Sequence, residues 1–154
     1  MILVTGAAGL IGSAFVWQLN EEGIKDVILV DKLRHEDKWK NIAKREYYDW
    51  VDRDELFDWL KVEENAKKID VIVHMGAISA TTETDGDLLM KNNYEFSKKL
   101  WDFATERKIQ YIYASSAATY GMGEDGYEDN IDLSGHQNLR PLNKYGYSKK
   151  YLMY

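Results

Sequence analysis

Thr5-Gly6-Ala7-Ala8-Gly9-Leu10-Ile11-Gly12 stands between a short apolar run, Ile2–Thr5, and a stretch with helical periodicity, Ile11–Glu22. Gly6 suits a tight turn out of a strand, Gly9 lets a pyrophosphate approach the main chain, and Gly12 lets the following helix pack closely on the strand. The N–H groups at the helix start then face the phosphates. A glycine pattern alone is weak, because a turn without a ligand has the same composition. The strand before it and the helix after it supply the confirming context. Asp31 closes the second apolar run, Val27–Val30, 19 residues beyond Gly12. A carboxylate there can hold the ribose hydroxyls of a dinucleotide.

On either side of this loop, strand and helix patterns alternate. Ala14, Phe15 and Leu19 define the apolar side of the first helix, which Gly23 closes. Glu46–Trp50, rich in aromatics, reads as a third strand, and Leu56, Phe57 and Leu60 set a helix over Arg53–Glu64. Ile69–His74 is an apolar strand. Leu88–Arg107 is a long helix with Phe96, Leu100, Phe103 and Ala104 on one stripe, and Gln110–Ala114 is the next strand. Gly121–Arg140 has loop composition, and Pro141 suits the first turn of a final helix, where its missing N–H is not needed. Continuous apolar strands between helices predict a parallel sheet covered on both faces. The expected fold is therefore α/β, a Rossmann-type doubly wound sheet, with residues 1–154 as one dinucleotide-binding domain.

Composition narrows the function classes. The chain of 154 residues suffices for one compact domain, and 45% hydrophobic with 30% charged residues is a globular balance. A net charge of -6 argues against a nucleic-acid partner. With no cysteine, disulfides, zinc–thiolate sites and thiol nucleophiles are excluded. No apolar run approaches the ~20 residues of a membrane span. Met1–Val4 runs straight into glycines with no basic region before it, unlike a signal peptide. A cytoplasmic location with no membrane partner is expected.

Tyr145-Gly146-Tyr147-Ser148-Lys149 carries a second chemistry. Residues i and i+4 share a helix face. A tyrosine, with its ordinary pKa near ~10, is a poor base at neutral pH. A lysine ammonium one turn away favours the phenolate, making the pair a usable acid–base group for a hydroxyl. Alone, the pair reads equally as a surface helix. Ala114-Ser115-Ser116-Ala117-Ala118-Thr119-Tyr120-Gly121 changes that, because it follows a strand at the carboxyl end where open α/β sheets bind ligands. Ser115 or Ser116 could there hydrogen-bond a reacting oxygen. His35, His74 and His136 have no nucleophile elbow to serve.

The Gly-x-x-Gly-x-x-Gly spacing, with the serine segment and Tyr-x-x-x-Lys, resembles the short-chain dehydrogenase/reductase superfamily, especially its extended sugar-nucleotide branch. The resemblance selects Ser116 over Ser115, the serine four positions before Tyr120-Gly121, and implies a catalytic set of Ser116, Tyr145 and Lys149. Within that branch, His74-Met-Gly-Ala-Ile-Ser79, Thr81-Thr-Glu-Thr-Asp-Gly86 and Asn92-Asn93-Tyr94 resemble the ADP-L-glycero-D-manno-heptose 6-epimerases. The Thr-Thr-Glu-x-Asp-Gly block differs from the corresponding segment of UDP-galactose 4-epimerases. Dehydratase relatives carry an acidic pair where this chain has Ala117 and Ala118, which transfer no proton.

This likeness implies a bound NADP, with NAD as the other choice. Besides Gly6, Gly9 and Gly12, it implies cofactor contacts at Leu10, Ile11, Asp31, Lys32, Lys38, Arg53, Met75, Gly76, Ala77, Ile78, Ser79, Asn92 and Lys149. It implies substrate contacts at Ser79, Ser116 and Tyr145, with no metal. Met75 stands where the family has glutamate, and Arg53 where it has lysine. Without the likeness, Lys32, Arg34, Lys38 and Arg53 would read as a solvated surface. The implied reaction inverts a heptose centre at C6 by transient oxidation, for the heptose of the lipopolysaccharide core. The implied substrate is ADP-heptose or a similar nucleotide sugar, and the implied enzyme is homo-oligomeric. Such enzymes run to about twice this length, so a substrate domain is expected to be absent and these residues to be inactive alone. The alternatives are another nucleotide-sugar 4-epimerase or reductase, or a non-catalytic cofactor-binding module.

Overall fold

The computed structural model describes residues 1–34, 37–124, 126–127 and 138–150. The chain divides into two compact units, residues 1–76 with 104–113 and residues 77–103 with 114–154. His35, His136, most of the expected 121–140 loop and residues 151–154 lie outside the described residues.

The first unit is built on five strands, β1 (Ile2–Thr5), β2 (Val27–Asp31), β3 (Asp49–Asp52), β4 (Val71–His74) and β5 (Gln110–Tyr113). Their order is β3-β2-β1-β4-β5, and every neighbouring pair is parallel. This is five strands of the Rossmann-type order, as expected from the glycine loop. The apolar runs explain the burial. Leu3, Ile28 and Ile72 share one face in register, Val4, Leu29 and Val73 the other, and all six are at most 2% exposed. Each such side chain contributes about 1.5–3 kcal/mol by leaving water. The sheet is thus covered on both faces at β1, β2 and β4.

Helix α1 (Leu10–Glu21) packs Val16 and Leu19 into the cluster that holds Val4, Val27, Leu29 and Val73. Its buried face is Gly12, Ser13, Val16 and Leu19, whereas Ala14 is exposed and Phe15 half-buried. Of the expected apolar side, Leu19 is buried and Phe15 packs against the core cluster, and only Ala14 turns to solvent. Gly23 ends the helix at φ +78°, a left-handed conformation that glycine adopts without a Cβ clash.

Three expectations for this unit shift. The third strand spans Asp49–Asp52 instead of Glu46–Trp50, and Tyr48 N–H donates to the Val27 carbonyl just ahead of it. Tyr47 and Tyr48, which suggested a strand by composition, are exposed. The helix expected over 53–64 is broken into α2 (Leu56–Lys61) and α3 (Glu63–Ala66) by the extended backbone of Val62. The fourth strand starts at Val71, with Ile69 buried ahead of it.

In the second unit, the long helix begins earlier than expected. Its first turn is α4 (Gly86–Leu89), capped by Asp85, whose carboxylate accepts the Leu88 N–H at 2.9 Å. A π-helical turn, Met90–Glu95, follows and leads into α5 (Phe96–Arg107), whose last residues belong to the first unit. A short 3₁₀ turn spans Ala117–Tyr120, and α6 spans Lys144–Lys150. Pro141 precedes α6 by three residues instead of lying in its first turn. Asn143 caps it, accepting the Gly146 N–H at 2.8 Å.

Candidate functional site

In the first unit, Gly6 leaves β1 at φ +67°, and a Cβ on it would lie 2.7 Å from the Gly76 nitrogen. A Cβ on Gly12 would run into the Gly6 carbonyl and lie 2.9 Å from the Ala7 Cα. Both positions admit only glycine without moving backbone. Gly9 is different: it has φ -71°, and a Cβ would meet only the Gly6 oxygen at 3.2 Å. It begins α1 with no side-chain cap and no acid in the first turn. The helix start therefore keeps its dipole and donors available for an anion, which fits a pyrophosphate. Leu10 and Ile11 are 84% and 67% exposed there, large apolar groups at the mouth of the loop.

Asp31 is tied to this loop. Its Oδ2 accepts the Ala8 N–H at 2.9 Å, and its Oδ1 accepts from Lys32 N and from Lys38 Nζ, each at 2.7 Å. Asn41 donates to the Ala8 carbonyl at 2.8 Å from the other side. The side chains of Lys32 and Arg53 turn instead to Asp54. Met75 packs its thioether side chain against the core cluster. Gly76 N–H donates to Thr5 Oγ1 at 3.1 Å, and the same hydroxyl is hydrogen-bonded to Nδ1 of fully buried His74. His74 thus has a structural tie beneath the loop.

In the second unit, Tyr145 and Lys149 lie one turn apart on α6. Tyr145 is half-buried and Lys149 only 2% exposed. Burial brings the Lys149 ammonium down to about 8. The turn that follows Ser116 presses on this helix, since a Cβ on Gly146 would lie 2.5 Å from the Ala118 carbonyl oxygen. Ser116 opens that turn, its Oγ accepting the Ala118 N–H at 3.2 Å. The serine segment and the tyrosine–lysine helix are thereby packed together.

In the sequence Asn93 stands within the Asn92-Asn93-Tyr94 stretch that carries the resemblance, which implies a contact for Asn92 alone. Asn93 is fully buried. Its Oδ1 accepts from Ile78 N and from Asn92 Nδ2, both at 2.8 Å. Its Nδ2 donates to the Ile78 carbonyl and to Ser148 Oγ, both at 3.0 Å. Ser148 in turn donates to the Tyr145 carbonyl at 2.7 Å. One amide thus joins the 77–79 segment, the π turn and the tyrosine–lysine helix. Ser79 is exposed and Ala77 half-buried beside this tie. The 81–86 block serves the same packing: Lys144 donates to the Thr84 carbonyl at 2.6 Å, and Asp85 caps α4. A pair of asparagines within a helix, where they are poor formers, is the signal that could have pointed to Asn93.

A profile of the NAD dependent epimerase/dehydratase family matches residues 2–153. The chain belongs to that family. It is 66% identical over 151 residues to the ADP-L-glycero-D-manno-heptose-6-epimerase of Fusobacterium nucleatum, covering 98% of this chain and 46% of that one. It is 49% identical over 150 residues to the enzyme of the same name from Nitratidesulfovibrio vulgaris, covering 97% and 46%. Among solved structures, the Helicobacter pylori ADP-L-glycero-D-manno-heptose-6-epimerase superposes with a TM-score of 0.75 at 31% identity, covering 99% of this chain and 48% of that one. The chain spans just under half the length of the curated relatives it matches. Among the described residues of this epimerase/dehydratase-family chain, no helix is long and apolar enough to cross a membrane.

Proposed function

We propose that the protein carrying these residues is a nucleotide-sugar epimerase that interconverts ADP-D-glycero- and ADP-L-glycero-D-manno-heptose at C6. The reading is supported most by the packing of the Ser116 turn against a helix that sets Tyr145 and buried Lys149 one turn apart. The identity to relatives bearing that enzyme name agrees with it. A bound nicotinamide dinucleotide supplies the hydride acceptor and donor. We assign NADP, because Lys32, Lys38 and Arg53, paired in the free protein with Asp54 and Asp31, stand near the end of β2 as cations that a ribose phosphate can recruit, with NAD as the alternative. Cytoplasmic action on a soluble nucleotide sugar follows from the same reading.

The first unit holds the dinucleotide. Gly9 and the start of α1 present donors to its phosphates, and Asp31 stands where the adenosine ribose is expected. The second unit handles the sugar. Tyr145 accepts the proton of the reacting hydroxyl and returns it, Lys149 favours the phenolate by its charge, and Ser116 donates to the reacting oxygen. Gly76, Ala77, Ile78, Ser79 and Asn92 complete the cofactor contacts, with Ser79 also toward the sugar.

The test is Tyr145→Phe in the full-length protein. Epimerisation should fall by about 10²–10⁴-fold, as for loss of a general acid–base group, while dinucleotide affinity stays within twofold. A phenylalanine variant that epimerises ADP-heptose at the wild-type rate would falsify the assigned role.

A further inference from the structure

Asp54 follows β3 and belongs to none of the motifs read from the sequence. Its two carboxylate oxygens serve two different cations. Oδ2 accepts from Lys32 Nζ, and Oδ1 accepts Arg53 Nε–H at 3.0 Å, with Arg53 Nη2 also 3.0 Å away. The Lys32 hydrogen bond, with the Arg53 charge beside it, holds the Asp54 carboxyl below the usual carboxylate range, so it is ionised at neutral pH. Its backbone is fixed. Asp54 N–H donates to Asp52 Oδ1 at 2.8 Å, and Arg53 N–H donates to the Asp31 carbonyl at 3.0 Å.

This network stands at the carboxyl ends of β2 and β3, where Asp31 and Asp52 are paired in register. Lys38 is engaged separately by Asp31. A carboxylate that bridges two cations through both oxygens occupies the arrangement in which a phosphate would use two of its own. A ligand phosphate drawing on the same Lys32 and Arg53 donors would compete with Asp54 for them. A ligand with a plain hydroxyl in that place leaves the bridge undisturbed.

We propose that Asp54 is a specificity-determining residue, which lowers affinity for a dinucleotide bearing a phosphate on its adenosine ribose and leaves affinity for the unphosphorylated one unchanged. The inference rests on the reading that the first unit binds a dinucleotide. A carboxylate and a phosphate dianion ~6 Å apart in water repel by an amount worth about tenfold in affinity, and salt screens it.

The experiment is isothermal titration of the full-length protein with NADP+ and with NAD+ at low and high salt, for wild type, Asp54→Asn and Asp54→Asn combined with Lys32→Gln. Asp54→Asn should tighten NADP+ about tenfold at low salt and much less at high salt, with NAD+ within about twofold. Adding Lys32→Gln should remove most of the gain. Equal changes for both dinucleotides, no change, or weaker binding of both would overturn the proposal and assign Asp54 a structural role. Wild type binding neither dinucleotide would refute the cofactor reading itself, before any variant is compared.

Discussion

Replacing Asn93 with alanine should destabilise the protein by about 2–5 kcal/mol. The magnitude follows from what the side chain leaves behind. Asn92 loses the acceptor of its amide in a buried place, which costs about 1–3 kcal/mol. Ile78 loses partners for both its N–H and its carbonyl, in a half-buried position where water can replace part of the loss. Ser148 loses a donor to its oxygen but keeps its own bond to the Tyr145 carbonyl, so its share is small. A cavity adds to the total. Ser148→Ala provides the scale, because Asn93 Nδ2 would still donate to Ile78, and about 1 kcal/mol is expected. Asn93→Asp keeps the shape and removes both donors. The assay is equilibrium urea unfolding of the three variants, with amide exchange at Ile78 as the local readout. If Asn93→Ala costs no more than Ser148→Ala, or the Ile78 amide exchanges as slowly as in wild type, Asn93 is not the tie between these segments.

The glycine loop and Lys149 give two further expectations. Gly12→Ala should lower the melting temperature and weaken dinucleotide binding together, since its Cβ meets backbone atoms that must move, at a typical cost of about 1–3 kcal/mol. Gly9→Ala should lower the melting temperature less than Gly12→Ala while still weakening binding, because its Cβ meets only the Gly6 oxygen, at 3.2 Å, against the much closer backbone contacts at Gly12. Calorimetry with a dinucleotide titration separates them, and a larger thermal loss at Gly9 than at Gly12 would refute the assignment. For Lys149, the folded group titrates near 8 while the unfolded one keeps its ordinary value of 10.5. Between those values the unfolded state binds more protons, so stability rises with pH by up to about 3 kcal/mol and is flat below the window. Lys149→Met should abolish that rise in paired unfolding measurements from pH 7 to 10; a parallel slope in the variant would exclude Lys149 as its source.

The parts of the fold visible in the sequence are those set by near neighbours. β1 and the glycine loop were legible because Gly6 and Gly12 face each other six residues apart, and the reason glycine is required there lies within the motif. The tyrosine–lysine pair was legible for the same reason, one helical turn. The features that escaped are decided by residues far away in the chain. Asn93 meets Ser148 across 55 positions and Ile78 across 15, and nothing in Asn92-Asn93-Tyr94 tells the two asparagines apart. Asp54 gains its significance from Lys32, 22 positions earlier on another strand end, and by itself is an ordinary acid after a strand. Val62 breaks the 53–64 helix without the glycine or proline that would announce it. The start of β3 lies beyond the aromatic run because aromatic residues favour strands only where a pleated surface receives them, and exposed Tyr47 and Tyr48 precede that surface. The glycine loop and the tyrosine–lysine pair are thus read by type and spacing, and Ser116 by resemblance. The residues that hold them in place are not, because a buried hydrogen bond depends on the chain path that brings its two ends together. In the folded chain Asn93 ties the 77–79 segment to Ser148 on the helix of Tyr145, and Asp54 bridges Lys32 and Arg53, links that neither stretch of sequence announces.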